Sequence, residues 1–434
     1  MSNKQNPQLV PKIRFPEFQE SGSWTTEKLG SVASISTEKV GGNTCVPMSI
    51  TSGVGLVSQE DKFGRVIAGD SYKNYLLLKP NDFAYNKSST KEYPEGFLTL
   101  YSGSDLAAVP NSIFTCFRVN GESPDTRFLN YQFSDNLHGR WLRNFIQVGA
   151  RANGALSIND GDLMALPVPM PSGITAVVEQ KKIADCLSSL DELITAQARK
   201  VEVLKTHKKG LMQQLFPREG ETQPRLRFPE FQNTGDWSEG KLQDIATVLQ
   251  GYGFPERHQG QTSGDYPFYK VSDISRSLAT GNVFIKESAN YVNEDLLKEL
   301  RAKPIPEGTT IFAKIGEAIR SNKRVVTTAP CLIDNNAAGL KRIDGKATDL
   351  FIYFLMEQIS LIDHAGGVVP SVNKSAIESI SVRFPEPNEQ QRIADCLTSL
   401  DTLITVAIQE FDTIRSHKKG LMQQLFPSTE AIEA

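Results

Sequence analysis

Apolar residues recur along residues 179–217 at alternating steps of three and four: Ile183, Leu187, Leu190, Ile194, Val201, Leu204, Leu211 and Leu215. Residues 389–427 repeat the row as Ile393, Leu397, Leu400, Ile404, Phe411, Ile414, Leu421 and Leu425. This is the a/d seam of a heptad pattern, which predicts a long helix that wants a partner helix along its length. The seam is interrupted at Gln197/Ala407 and at Lys208/Lys418, and Pro217 and Pro427 stop the helices. At 1.5 Å per residue each stretch makes a rod of about 58 Å. The nearest partner for either rod is the other. Pairing is assigned to Ile183, Leu187, Leu190, Ile194 and Leu204 against Ile393, Leu397, Leu400, Ile404 and Ile414. One globular stretch precedes each helix, which favours an antiparallel pair. Two separate amphipathic helices, each covering its own domain, are the other arrangement that the pattern allows.

The two helical stretches are copies of one another. Residues 179–217 align without gaps on 389–427 with 24 of 39 positions identical, and "HKKGLMQQLFP" (207–217, 417–427) is unbroken. The differences cluster at 196–206, so the two ends are the constrained parts. A second repeat opens each half: "KIRFPEFQESGSWTTEKL" (12–29) matches "RLRFPEFQNTGDWSEGKL" (225–242) at 10 of 18 positions. Weaker echoes join "LSINDGDLMALPVPMP" (156–171) to "PSVNKSAIESISVRFP" (370–385), and "FRVNG" (117–121) to "KRIDG" (341–345). Joining the C-terminus to the N-terminus would recreate the junction found in mid-chain, so the order is circular with pseudo-twofold symmetry. The expected domains are 1–174, 175–217 (helix), 218–385 and 386–434 (helix).

Within the globular stretches, period-2 runs bounded by Gly, Pro and Asn predict strands at 39–51, 74–86, 112–120, 266–274, 308–316 and 324–330. Helical periodicity covers 125–147 and 349–363. The fold class is α+β, two mixed domains with antiparallel sheets joined by an antiparallel coiled coil.

Length and composition narrow the function. The 434 residues are too many for one core. At 39% hydrophobic and 22% charged, the chain reads as an ordinary globular protein. No apolar run approaches a membrane span, and "MSNKQNPQLVPK" has no signal-peptide core, so no membrane partner and a cytoplasmic location are expected. Five scattered cysteines without a CxxC pair argue against a disulfide framework or zinc site. A net charge of −3 means that any nucleic-acid binding must come from locally concentrated Lys and Arg, or from a partner's share of the phosphate contacts.

Catalytic signatures are missing: no GxxxxGK[ST], HExxH or GxSxG, and no N/D-P-P-Y/F of amino-methyltransferases. "PEGTTIFAK" (306–314) echoes a nuclease metal site only loosely, so no catalytic or metal-binding residue is assigned. What remains is polar loop material suited to phosphate and base-edge hydrogen bonds. The candidates are Lys87, Ser88, Ser89, Thr90 and Lys91; Arg151 and Asn153; Tyr252 and Arg257; Lys314, Arg320, Asn322, Lys323 and Arg324; and Asn373 with Lys374.

Three features resemble the specificity subunit of type I restriction–modification systems. They are RFPEF followed by Trp24 or Trp237, the "SINxxxLxxLPVPxP" lead into an "EQxxIADxLxxLD" helix, and the terminal "HKKGLMQQLFP". The resemblance spans essentially the whole chain. It implies two target-recognition domains, each reading one half of a bipartite double-stranded DNA site for bacterial defence. It also implies that methylation and cleavage reside in two modification (methyltransferase) subunits and in restriction (motor/nuclease) subunits that dock on this one. S-adenosylmethionine, ATP and Mg would belong to those partners, with no cofactor in this chain. The link 172–178 is longer than its counterpart 386–388, and Gly-Tyr-Gly-Phe (251–254) occurs only in the second domain, so the two domains are expected to read different sequences. A coiled-coil adaptor for protein ligands is the alternative function. The charged break at His207, Lys208 and Lys209, with His417, Lys418 and Lys419, is expected to meet a recognition domain, a docked subunit or the DNA backbone.

Overall fold

The computed structural model describes residues 9–51, 53–146 and 156–427. The chain divides into two compact units, Met1–Leu193 with Ile414–Ala434, and Ile194–Thr413. This cut differs from the domain boundaries expected from the repeats. Each unit combines one globular domain with parts of both long helices, because the helix ends supply apolar side chains to the domain cores.

In the first unit one four-stranded sheet runs in the order Ala33–Ser36, Phe114–Val119, Phe83–Asn86, Phe97–Leu100, all antiparallel. Phe83 faces Phe117 in register and their rings stack at 4.9 Å, with the edge of Phe133 against Phe83. A second sheet of Gly55–Ser58, Val46–Thr51, Ala107–Val109 and Leu76–Leu78 completes the domain. The second unit has a five-stranded sheet in the order Ala246–Gln250, Ala337–Arg342, Thr310–Ala313, Arg324–Thr327, Phe284–Ile285. A smaller sheet of Tyr291–Val292, Tyr266–Tyr269 and Leu332–Ile333 lies in the same unit.

The other three of these sheets are mixed rather than purely antiparallel. Val46 and Pro47 run parallel to Ala107 and Ala108, and parallel pairs also join Phe268 to Leu332 and Phe284 to Val326. The strand expected over 266–274 ends at Tyr269. There the Asp273 carboxylate accepts the Lys270 N–H at 2.8 Å and starts a helix over Val271–Ala279. The helix expected over 125–147 begins at Thr126 under an Asp125 cap and breaks at Asn136, which holds φ 62° between Thr126–Ser134 and Leu137–Leu142.

A two-stranded ribbon in each unit was not legible as a pair. Thr25–Lys28, just after Trp24, runs antiparallel to Pro167–Met170, and Ser238–Lys241, just after Trp237, runs antiparallel to Ser381–Phe384. The opening and closing markers of each domain thus meet in space.

The long helices span Ala176–Leu215 and Pro387–Leu425. In the second unit Lys208 meets Asp401, while Gln197 donates to the Ala407 carbonyl at 2.9 Å and to Glu410 at 2.8 Å. In the first, Asp191 meets Lys418 at 2.5 Å. Partner numbers fall as residue numbers rise, so the helices pair antiparallel. Not every residue of the apolar row serves that seam. Ile183 and Leu187 are buried with Phe128 and Leu129 of the first domain, and Ile393 and Leu397 with Phe351 and Ile352 of the second. Leu190, Ile194, Leu204, Leu400 and Ile414 are half-buried, and Ile404 is buried.

Candidate nucleic-acid interface

Each domain is joined to the helices by the same three side chains. Arg14, the arginine of the first RFPEF, places its guanidinium on both oxygens of Glu179 at 2.7 and 2.6 Å, and its remaining nitrogen donates to the carbonyls of Ser21 and Gly22. Trp24 donates its indole N–H to the same carboxylate at 3.3 Å. Arg227, Glu389 and Trp237 repeat this at 2.8, 2.7 and 3.3 Å, with the carbonyls of Thr234 and Gly235 in the places of Ser21 and Gly22. Both ion pairs are buried, so a bidentate fork, reinforced by the indole N–H on the same carboxylate, is what makes them tolerable. The glutamates lie in the first turn of the long helices, where the helix dipole favours an anion. The next residue completes the joint: Gln180 accepts the N–H of Asp125 and Gln390 that of Thr348, the cap residues of the helices at Thr126–Ser134 and Asp349–Gln358. The repeated Glu-Gln is therefore a two-pronged socket.

The far end of each repeat closes the opposite side of the joint. Phe426 packs edge-on against Trp24 at 6.4 Å, and Phe216 against Trp237 at 5.9 Å. Each domain is thus held by the start of one long helix and the end of the other.

The charged break in the seam meets the adjoining globular domain. The Lys208 ammonium sits 2.8 Å from Asp401 and 3.0 Å from Glu357, over the rings of Tyr353 and Phe354. Burial pushes the Asp401 carboxyl up to about 6 against the pull of Lys208. Burial also works against the Lys208 charge, but Glu357 and Asp401 outweigh it and hold its pKa above the usual value. Lys418 repeats the contact with Asp191 and the Tyr131 ring, and Tyr131 donates to Asp191 at 2.8 Å. His207, Lys209, His417 and Lys419 are exposed.

The expected DNA-contacting residues divide. Lys87 directly follows the strand Phe83–Asn86, as Lys314 follows Thr310–Ala313, so the two lysines occupy equivalent places. Leu156 donates to the Lys87 carbonyl and Val372 to that of Lys314, which brings each lysine beside the chain that enters the short helix capped by Asn159 or Asn373. Burial lowers the Lys314 pKa, and its ammonium rests on Gln250, so the 250–260, 313–324 and 364–374 loops converge there. Ser89, Thr90 and Lys91 are exposed and Ser88 is half-buried. Lys323 and Lys374 are exposed, the former on Ser275 and the latter facing Glu378 at 3.5 Å. Arg257 and Arg320 are exposed but engaged with Glu299 and Glu317.

Four of the candidates serve the fold. Arg324 departs most from expectation: it is 2% exposed and donates to Asn322 and to the Ile359 carbonyl. Burial lowers its pKa to about 10. Asn322, at φ 50°, completes that clamp by donating to Ile359. The Tyr252 hydroxyl accepts the Lys303 N–H at 2.9 Å. Asn373 caps its helix through Ala376. Arg151 and Asn153 lie outside the described residues. Sequence reasoning named Trp24 and Trp237 as markers but missed the arginine–glutamate joint, although both residues recur in both halves. Among the described residues no cluster of His, Cys, Asp or Glu is arranged to hold a metal, and no helix is long and apolar enough to cross a membrane.

Comparison with known proteins fits this architecture. Residues 234–414 match the family model of the type I restriction modification DNA specificity domain. A putative type I restriction enzyme MjaX specificity subunit of Methanocaldococcus jannaschii is 25% identical over 82% of this chain and 79% of its own length. The type I restriction–modification S subunit of M. genitalium shares the fold at a TM-score of 0.58 and 15% identity, covering 97% of this chain and all of that one. A chain from a structure of type I restriction–modification complex assembly and conformational transition is similar at a TM-score of 0.51 and 15% identity, over 93% of this chain and 96% of its own. The fold and joints define a class of two globular domains, each fastened in the same way to long antiparallel helices. Over residues 234–414 the chain is thus similar to the type I restriction modification DNA specificity domain, and over 82% of its length to a putative type I specificity subunit.

Proposed function

We propose that this chain is the DNA-reading subunit of a type I restriction–modification complex in the cytoplasm. Each globular domain reads one half of a bipartite site, and the paired helices set the spacing and dock methyltransferase and restriction subunits. S-adenosylmethionine, ATP and Mg act on those partners. The observation that carries the reading is the duplicated joint. Two domains whose loops differ are fastened by the same Arg–Glu–Trp fork, Arg14–Glu179–Trp24 and Arg227–Glu389–Trp237, to antiparallel copies of one helix. A constant fastening with variable loops is what a reader of two different half-sites requires. The 40-residue first helix, about 60 Å long at 1.5 Å per residue, spans more than the roughly 34–36 Å between half-sites one DNA turn apart. The small net charge is tolerable if the partners share the phosphate contacts.

The test is a domain exchange read by methylome mapping. Replacing residues 30–155 with those of a related protein is expected to change the methylated sequence in one half only. A change in both halves, or in neither, refutes the assignment. A purified complex without salt-sensitive, sequence-selective retention of duplex DNA would favour the protein-adaptor reading instead.

A further inference from the structure

The turn at 364–374 ends in two apolar side chains that nothing in the domain covers. Val368 is fully exposed and Val369 is 62% exposed. The turn beneath them is rigid. Gly366 and Ser371 exchange backbone hydrogen bonds at 3.0 and 3.1 Å, Gly316 donates to the Pro370 carbonyl at 2.8 Å, and Val372 donates to Lys314. Gly367 holds φ 88°, a conformation that suits glycine, and so tips the valines outward. Isolated exposed valines are commonplace; an adjacent pair on a locked tip is different, because no core need accounts for it. The turn is flanked by Lys314 and Lys374, so its base carries positive charge while its apex is apolar. In the first half of the chain the register that sets 156–171 against 370–385 puts Gly154 and Ala155 opposite the two valines, so the apolar pair is peculiar to the second half.

We infer that Val368 and Val369 form an apolar base-reading tip, which contacts thymine methyl groups in the major groove of the half-site read by the second domain. The 5-methyl group of thymine is the one apolar feature that the major groove offers, and small aliphatic side chains match it, whereas arginine and asparagine match guanine and adenine edges. The flanking lysines supply the phosphate contacts that seat such a tip. This inference rests on the DNA-reading function proposed above.

The test uses the full chain assembled with its modification subunits, on the duplex identified by methylome mapping. Each thymine of the two half-sites is replaced singly by deoxyuridine, which deletes only the methyl group. At one or two positions of the second half-site this is expected to weaken binding about three- to fivefold, the value of one buried methyl. The double variant Val368→Ala/Val369→Ala is expected to bind thymine and deoxyuridine equally there, yet keep the full deoxyuridine response in the first half-site. Because both side chains are exposed, the variant is expected to retain its melting temperature, and the comparison within it does not depend on total activity. Absence of any sensitive thymine in the second half-site overturns the inference, as does sensitivity that persists in the variant. Loss of subunit assembly with unchanged DNA affinity makes the tip a protein contact and also overturns it. A wild-type complex without sequence-selective binding overturns the function and this inference together.

Discussion

Lys208 and Lys418 occupy the same letter of an identical eleven-residue repeat, yet the structure makes them energetically unequal. The Lys208 side chain is 12% exposed between Asp401 at 8% and Glu357 at 28%, whereas Lys418 faces an Asp191 that is 46% exposed. Lys208→Met removes the cation from two carboxylates, one deeply buried. Removing one partner of a buried pair costs about 3–5 kcal/mol. For a unit of this size that lowers the melting temperature by about 6–20 °C. Lys418→Met exposes Asp191 to water and is expected to cost about 1 kcal/mol or less. The pH dependence gives a second check. The folded pKa of Asp401, about 6, lies above its ordinary 3.8, so the protonated form favours the fold. That contribution is complete below about pH 4 and is lost as pH rises through 6. Without Lys208 the Asp401 pKa rises further, so the deficit of Lys208→Met against wild type is expected to be small at pH 5 and large at pH 8. Thermal unfolding of the wild type and both variants at these two pH values measures it. Equal losses in the two variants, or a Lys208→Met deficit independent of pH, would refute the reasoning.

The joint, the helix contact, the loop lysine and the spacing each give a further expectation. Glu389→Gln strands the buried Arg227 and is expected to destabilise by about 3–5 kcal/mol; Arg227→Met with Glu389→Gln is expected to recover part of that in a denaturant titration, and strict additivity would argue against the pairing. Gly281 holds φ 76°, and a Cβ there would sit 2.8 Å from Ile408, so Gly281→Ala is expected to cost about 1–2 kcal/mol in the same assay. Lys314→Ala is expected to weaken DNA binding with little change in melting temperature, while Arg324→Ala, which empties a buried clamp, is expected to lower the melting temperature first; the reverse pattern would exchange their roles. Inserting one heptad into both long helices at 196–206 and 406–416 is expected to widen the gap between methylated half-sites, and an unchanged gap would sink the ruler.

Much of the frame was written in the chain order. Heptad periodicity and terminal prolines determined the two helices, because a 3.5-residue apolar repeat admits few other structures over such a length. The repeats at RFPEF, Trp24 and Trp237 determined that each half folds as one domain with the same fastening. Tertiary structure decided what those letters do. Glu179 and Arg14 are 165 residues apart, and only the folded chain shows that one satisfies the other. Ile183 and Leu187 carry a coiled-coil pattern yet also fill a domain core, since periodicity reports which face is apolar and not what covers it. The same limit explains Arg324, whose place in a basic loop suggested a DNA contact. A buried carbonyl and an asparagine could meet its charge only after the strand had turned it inward. Local pattern is encoded residue by residue, whereas the environment of a side chain depends on which distant segments the fold brings to it.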